Sequence, residues 1–291
     1  MVKPIVAALL AVFAVTSVAE AREIRIVGSS TVYPFTTIVG ETFAAEGNTA
    51  PVIESTGTGG GMKLFCAGIG ESHPDFTNAS RAIKSSEAEK CAANGITPLE
   101  MKVGYDGIVF ANSKEGASFE VTTLELYLAL AKDVPQADGS LVANPYTHWN
   151  QINPDFPAKK IEVLGPPPSS GTRDAWVELV MEKGCKTFDW VKAMKKQDKK
   201  AYKGICHGIR EDGAFVEAGE NDNLIIQKLA NNPNAYGIFG YSFLDQNTDV
   251  IKGTVIGGVA PTFDSIADGS YPASRGLYVY AKKEHMGVID G

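Results

Sequence analysis

The chain has 291 residues, with 34 Asp and Glu against 27 Lys and Arg, for a net charge of −7 at pH 7. The length fits one or two domains with sizeable hydrophobic cores. No basic stripe runs along the chain, which argues against a nucleic-acid partner, and the Lys-rich run 192–203 reads as a solvated helix face. An acidic chain that holds an anion must do so locally, with directed N–H groups rather than a broad positive field.

The first residues read as an export signal over 1–21: Lys3, an apolar run over 5–15, and the small-x-small site Ala19-Glu20-Ala21. That run is too short for an ordinary transmembrane helix. Its cleavage site has no lipid-accepting cysteine, so the expectation is an exported protein without a lipid anchor. The four cysteines form no C-x-x-C pair, which leaves zinc and thioredoxin chemistry without support. In an oxidising compartment an even count points to disulfides. Of the three connectivities, Cys66–Cys91 with Cys185–Cys206 closes two short local loops and is the one expected.

The predicted elements begin with a strand over 23–27 that ends at Gly28. Ser29-Ser30-Thr31 follows, and Pro34 stands early in the next helix, where proline is tolerated. Phe35, Ile38, Val39 and Phe43 fall at helical spacing and predict that helix's buried face. A second short strand over 52–54 leads into Ser55-Thr56-Gly57-Thr58-Gly59-Gly60-Gly61. Met62, Phe65, Cys66 and Ile69 then recur at helical spacing. The Gly run is not a nucleotide P-loop, because Lys63 follows Met62 and no Ser or Thr comes next.

The strand 76–81 places Arg81 at its C-terminal end, the sheet edge where α/β folds bind ligands. Ser85-Ser86-Glu87 opens a helix carrying Cys91. A strand over 99–105, a turn at Asp106-Gly107 and renewed extended structure over 108–110 follow. Thr122 or Thr123 caps the next helix. The segment 133–156 is loop-rich, with Trp149 as a packing residue.

The strand 161–164 then leads into Gly165-Pro166-Pro167-Pro168-Ser169-Ser170-Gly171-Thr172-Arg173 and a helix with Trp176, Leu179 and Val180 at helical spacing. Ser169, Ser170 and Thr172 are candidate N-caps. A helix covers 188–200, a charged turn 210–213, a further helix 224–230, and strands 238–240 and 277–280. Alternating strands and helices predict an α/β fold with largely parallel sheets. Three Ser/Thr/Gly turns open helices, and a helix N-terminus offers unpaired N–H groups and the positive end of its dipole, a natural seat for an oxyanion.

Five segments together resemble one family: Gly28-Ser29-Ser30-Thr31-Val32-Tyr33-Pro34, Thr56-Gly57-Thr58-Gly59-Gly60-Gly61, Asn78-Ala79-Ser80-Arg81, Ser170-Gly171-Thr172-Arg173 and Tyr236-Gly237-Ile238-Phe239-Gly240-Tyr241. The set is similar to the periplasmic phosphate-binding proteins of the bacterial high-affinity phosphate ABC transporter. The resemblance implies a two-lobed periplasmic-binding-protein fold, with mostly parallel sheets and helices on both faces. It places two hinge crossings near 106–110 and 236–241. The lobes are then 22–107 with 242–291, and 108–241.

The resemblance further implies a monomeric binding protein without cofactor or catalysis, which hands inorganic phosphate to a membrane permease of the transporter. Ser30, Thr31 and Val32 match the first phosphate loop, Thr58 with Gly59 and Gly60 the second, and Ser170, Gly171 and Thr172 the third. In the family an Arg stands where this chain has Pro166, and an Asp where it has Arg81. Arg81, helped by Arg173, is therefore the expected source of positive charge. Asp106, Asp212 and Glu217 are candidate acceptors for the phosphate proton. Relatives also continue into a final helix after the segment matching 277–280. Two alternatives stay open: another tetrahedral oxyanion (sulfate, molybdate or tungstate), or a secreted phosphoester hydrolase. The hydrolase lacks sequence support, since His73, His148, His207 and His285 form no metal motif.

Overall fold

The computed structural model describes residues 23–219, 221–287 and 289, so the expected export signal over 1–21 lies outside the described residues. The first strand–turn–helix units build one half of the molecule. β1 (Arg25–Gly28) leads into α1 (Tyr33–Ala45), β2 (Val52–Ser55) into α2 (Thr58–Phe65), and β3 (Phe76–Ala79) into α3 (Ser85–Ala93). β1 pairs in parallel with both β2 and β3. The apolar stripe of α2 buries Met62 and Phe65 against Ala79, Cys91 and Ile96.

Next comes β4 (Pro98–Ser113), a single strand of 16 residues where the sequence predicts two strands around a turn at Asp106-Gly107. The expectation fails because long-range pairing holds the dipeptide extended: Asp106 and Gly107 lie opposite Arg275 and Ser274. Local turn propensity is outweighed by a partner strand that sequence spacing cannot reveal.

The second half contains α4 (Thr123–Leu130), the ribbon β5 (Asp133–Pro135) with β6 (Leu141–Ala143), α5 (Trp149–Ile152) and β7 (Val163–Gly165). α6 (Gly171–Trp176) continues through a π-helical turn (Val177–Met181) into α7 (Glu182–Cys185), followed by α8 (Asp189–Gln197) and α9 (Lys199–His207). The expected helix over 188–200 thus breaks. Asp198 terminates α8 and its carboxylate accepts from the N–H groups of Lys200 and Ala201, capping α9.

β8 (Phe215–Glu217), α10 (Asp222–Asn231), β9 (Tyr236–Gly240), α11 (Tyr241–Gln246), β10 (Ile251–Gly253), α12 (Phe263–Ala267) and β11 (Ser274–Lys282) complete the order. The strands run β2-β1-β3-β11-β4-β9-β7-β8, with β10 also on β4. Pairing is parallel toward both ends and antiparallel around β4 and β11. β4 belongs to both halves: 98–107 pairs with β11, whereas 108–113 pairs with β9 and β10. The core of the second half centres on Phe110, which stacks on Tyr236 at 4.8 Å between ring centroids and meets Trp149 and Trp176 at 6.0 Å.

Both expected disulfides are present, Cys66–Cys91 joining the end of α2 to α3 and Cys185–Cys206 joining α7 to α9. Each spans a loop of a length that contributes about 3 kcal/mol by restricting the unfolded chain.

One helix departs from expectation. The face of α1 predicted to be buried turns outward, with Phe35, Ile38 and Val39 exposed by 58%, 63% and 68%. α1 instead seats on the chain through Gly40, where a Cβ would lie 2.8 Å from the Pro51 ring. The small residue permits a close approach, and Phe35, Val39 and the half-buried Phe43 flank a groove beside Ile24, Ile26, Met101 and Val103.

Candidate functional site

The three Ser/Thr/Gly turns meet. The first and second touch at glycines: an added Cβ at Gly61 would stand 2.5 Å from the Gly28 Cα, so neither backbone leaves room for a side chain there. Gly28 also has φ +130°, which L side chains rarely adopt. The Ser29 and Thr56 N–H groups donate to the carbonyls of Asn78 and Gly28, tying both turns to the sheet edge. α2 opens at Thr58, so Gly59 and Gly60 lie in its first helical turn rather than in a loop. The Thr58 hydroxyl accepts from the Ser80 N–H at 3.1 Å and shares a hydrogen bond with the Ser80 hydroxyl at 3.0 Å.

The third turn comes from the other half. Ser170 is buried and its Oγ accepts from the Thr172 N–H, capping α6. An added Cβ at Gly171 would meet the Thr31 N at 3.2 Å, so the third turn lies against the first. The Ser30 hydroxyl donates to Asp174 Oδ2 across this junction at 3.3 Å. Between the second and third turns lies a cleft of about 300 Å³, with Thr56, Thr58 and Gly59 on one wall and Asp174, Glu178 and Lys203 on the other. Val32 is buried where α1 begins. Ser30, Thr31, Val32, Thr58, Gly59, Gly60, Ser170, Gly171 and Thr172 thus come from three turns that converge on one region.

The charged residues are placed otherwise than expected. Arg81 closes a two-pronged pair with Glu87, at 2.9 and 2.8 Å, so its fork is engaged by the first turn of α3. Burial acts to raise the Glu87 carboxyl, but hydrogen bonds from Arg81 and from the Lys84 N–H outweigh it and hold the group below its ordinary value. Arg173 lies over the Phe215 ring at 4.5 Å and donates back to the Pro166 carbonyl, with burial lowering its pKa. Asp106 bonds to Arg275. Asp212 pairs with Arg210, whose guanidinium also reaches the carbonyls of Ala129 and Tyr146. Glu217 is exposed at the end of β8, opposite Gly165.

Sequence reasoning missed Arg275, Asp174 and Glu178. Arg275 donates to Thr31 Oγ1 at 2.8 Å although 244 positions separate the two residues. The pairing of β11 with β4 puts it there, and no local signal announces it. Asp174 directly follows the SSGTR turn and could have been weighed with it.

The profile of the PBP superfamily domain matches residues 14–291. The phosphate-binding protein PstS of Staphylococcus saprophyticus is 31% identical over 274 residues, covering 91% of this chain and 71% of that protein. Protein SphX of Synechococcus elongatus is 28% identical over 264 residues, covering 88% and 67%. A solved structure described as a possible phosphate-binding protein from Planctomyces limnophilus superimposes with a TM-score of 0.70 at 27% identity, over 91% of this chain and 83% of that one. PstS from Borrelia burgdorferi, at 19% identity and a TM-score of 0.62, shares the fold. The chain therefore belongs to the PBP superfamily and, within it, to the PstS-like family of phosphate-binding proteins.

Proposed function

We propose that this protein binds inorganic phosphate outside the cytoplasm, in the periplasm, and delivers it as a monomer to the membrane permease of an ABC transporter without chemical change. The observation that carries the reading is the convergence of three Ser/Thr/Gly turns from two halves of the molecule. Each helix start supplies N–H donors, and the hydroxyls of Thr31, Thr58, Ser170 and Thr172 add more. Hydrogen bonds to a charged partner contribute about 1.5–3 kcal/mol each. Micromolar affinity needs about −8 kcal/mol, so a handful of these donors suffices.

Strand pairing supports lobes of 23–107 with 274–287, and 108–253, in place of the boundary at 241 expected from the sequence. β4 forms one crossing, and the return runs through 254–273. Such a pair of connections suits a hinge.

A thermal shift tests the reading. Phosphate at about 100 times its Kd stabilises a one-site binder by about 2.7 kcal/mol, which raises the midpoint by about 5–10 °C in a domain of this size. Sulfate should leave the midpoint in place, and no shift with phosphate would contradict the reading. Incubation with a phosphomonoester should release no phosphate.

The engagement of Arg81 leads to a further expected result. Arg81→Ala should change phosphate affinity by less than about threefold, since both prongs of its fork are engaged by Glu87 rather than offered to the anion. A loss of tenfold or more in titration calorimetry would show that Arg81 turns to the ligand after all.

A further inference from the structure

Arg275 is nearly buried, with 6% of its side chain exposed. Its guanidinium bonds to three separate elements. Nε donates to Asp106 Oδ2 at 3.1 Å, Nη1 to Glu178 Oε2 at 3.2 Å, and Nη2 to Thr31 Oγ1 at 2.8 Å. The antiparallel register sets Arg275 opposite Asp106, so a paired strand fixes where this charge stands. The two carboxylates offset most of its charge. What it conveys toward the first turn is direction more than field.

A threonine hydroxyl has one proton and two lone pairs, and a guanidinium can only donate. Arg275 therefore occupies a lone pair of Thr31. The Thr31 proton must point elsewhere, and charge-assisted bonding on one side strengthens donation on the other. We propose that Arg275 is a positioning residue for the anion site: it fixes the Thr31 hydroxyl as a donor to the bound phosphate without touching the ligand itself. This rests on the phosphate-binding reading above. It also accounts for a site whose other nearby arginines, Arg81 and Arg173, are engaged by Glu87 and by the Pro166 carbonyl.

A double-mutant cycle on the full chain, read by calorimetric titration with inorganic phosphate, tests the proposal. Thr31→Val and Arg275→Met should each weaken binding about tenfold, the loss of one charge-assisted hydrogen bond. The double variant should bind within about threefold of Thr31→Val, because Arg275 has no hydroxyl left to orient. Thr31→Ser should keep most of the affinity. Losses that multiply in the double variant overturn the proposal, since Arg275 would then act independently of Thr31. Wild-type affinity in Arg275→Met overturns it as well. If circular dichroism shows that Arg275→Met does not fold, Arg275→Lys, which keeps the charge and loses the fork, is carried through the same cycle with the same criterion. A wild-type protein that binds no phosphate overturns the functional reading itself and this inference with it. Wild-type binding with multiplying losses removes the inference alone.

Discussion

Gly171→Val is expected to weaken phosphate binding by about 100-fold or more, about 3 kcal/mol, while the ligand-free protein melts within about 2 °C of wild type. Gly171 begins α6 with an ordinary helical backbone, so the substitution brings no local strain. Its Cβ would instead stand 3.2 Å from the Thr31 N, 3.3 Å from the Thr31 Cα and 3.4 Å from the Ser30 carbonyl carbon. The γ-methyls of valine reach further and drive the third turn off the first. Because these turns belong to different halves of the molecule, the halves can separate without unfolding. The donors then no longer converge, and the loss falls on binding. Gly171→Ala should lose much less, since a shift of a few tenths of an ångström accommodates one methyl group. Calorimetric titration beside thermal melts reads both quantities. Unchanged affinity in Gly171→Val would show that the bound state does not need this contact.

The second large effect is on stability. Glu182 is 12% exposed and gathers Lys186 at 2.9 Å, Lys195 at 2.5 Å, Tyr202 at 2.9 Å and His207 at 3.2 Å, tying α7 to α8 and α9 beside the Cys185–Cys206 disulfide. Burial acts to raise this carboxyl, but the hydrogen bonds from His207, Lys195, Lys186 and Tyr202 outweigh it and pull the pKa far below the ordinary value of 4.5. Glu182→Gln should therefore cost about 3 kcal/mol at pH 7, the low end for breaking a largely buried charge cluster. The sign of the pH dependence follows from linkage. A carboxyl whose folded pKa is depressed contributes its stability above its unfolded value and loses it as pH falls toward the folded one. The wild type should therefore lose stability faster than Glu182→Gln below pH 4.5, and the gap between them should narrow. Urea unfolding at pH 7 and pH 3 measures both gaps. A gap that is absent at pH 7, or unchanged at pH 3, would contradict this account.

Much of the site could be read from the sequence because its parts are local. A strand followed by Ser, Thr and Gly and then an amphipathic helix is a short-range pattern, and it marked Gly28–Val32, Thr56–Gly61 and Ser170–Thr172 directly. The disulfide pairing was also accessible, since each bridge closes a short loop. The remainder depended on long-range partners. Asp106-Gly107 looks like a turn until β11 is laid against it. Glu87, only six residues from Arg81, both accepts from the Lys84 N–H and binds the Arg81 fork, a geometry that spacing alone does not distinguish from a free arginine at a sheet edge. Arg275 reaches Thr31 only through strand register. The apolar face of α1 was visible as a pattern, but the contact through Gly40 decides which side of the helix meets the protein.

Titration calorimetry of the purified protein with phosphate, sulfate and molybdate in turn tests the central claim most directly. The cleft wall carries Asp174 and Glu178, which should disfavour a fully ionised sulfate, while hydrogen phosphate still has a proton to offer. One phosphate should bind per chain with a Kd of about 1 μM or tighter, an affinity of about −8 kcal/mol. Sulfate and molybdate should give no saturable heat at the same concentrations. Absence of phosphate binding, or sulfate binding of equal strength, would contradict the account.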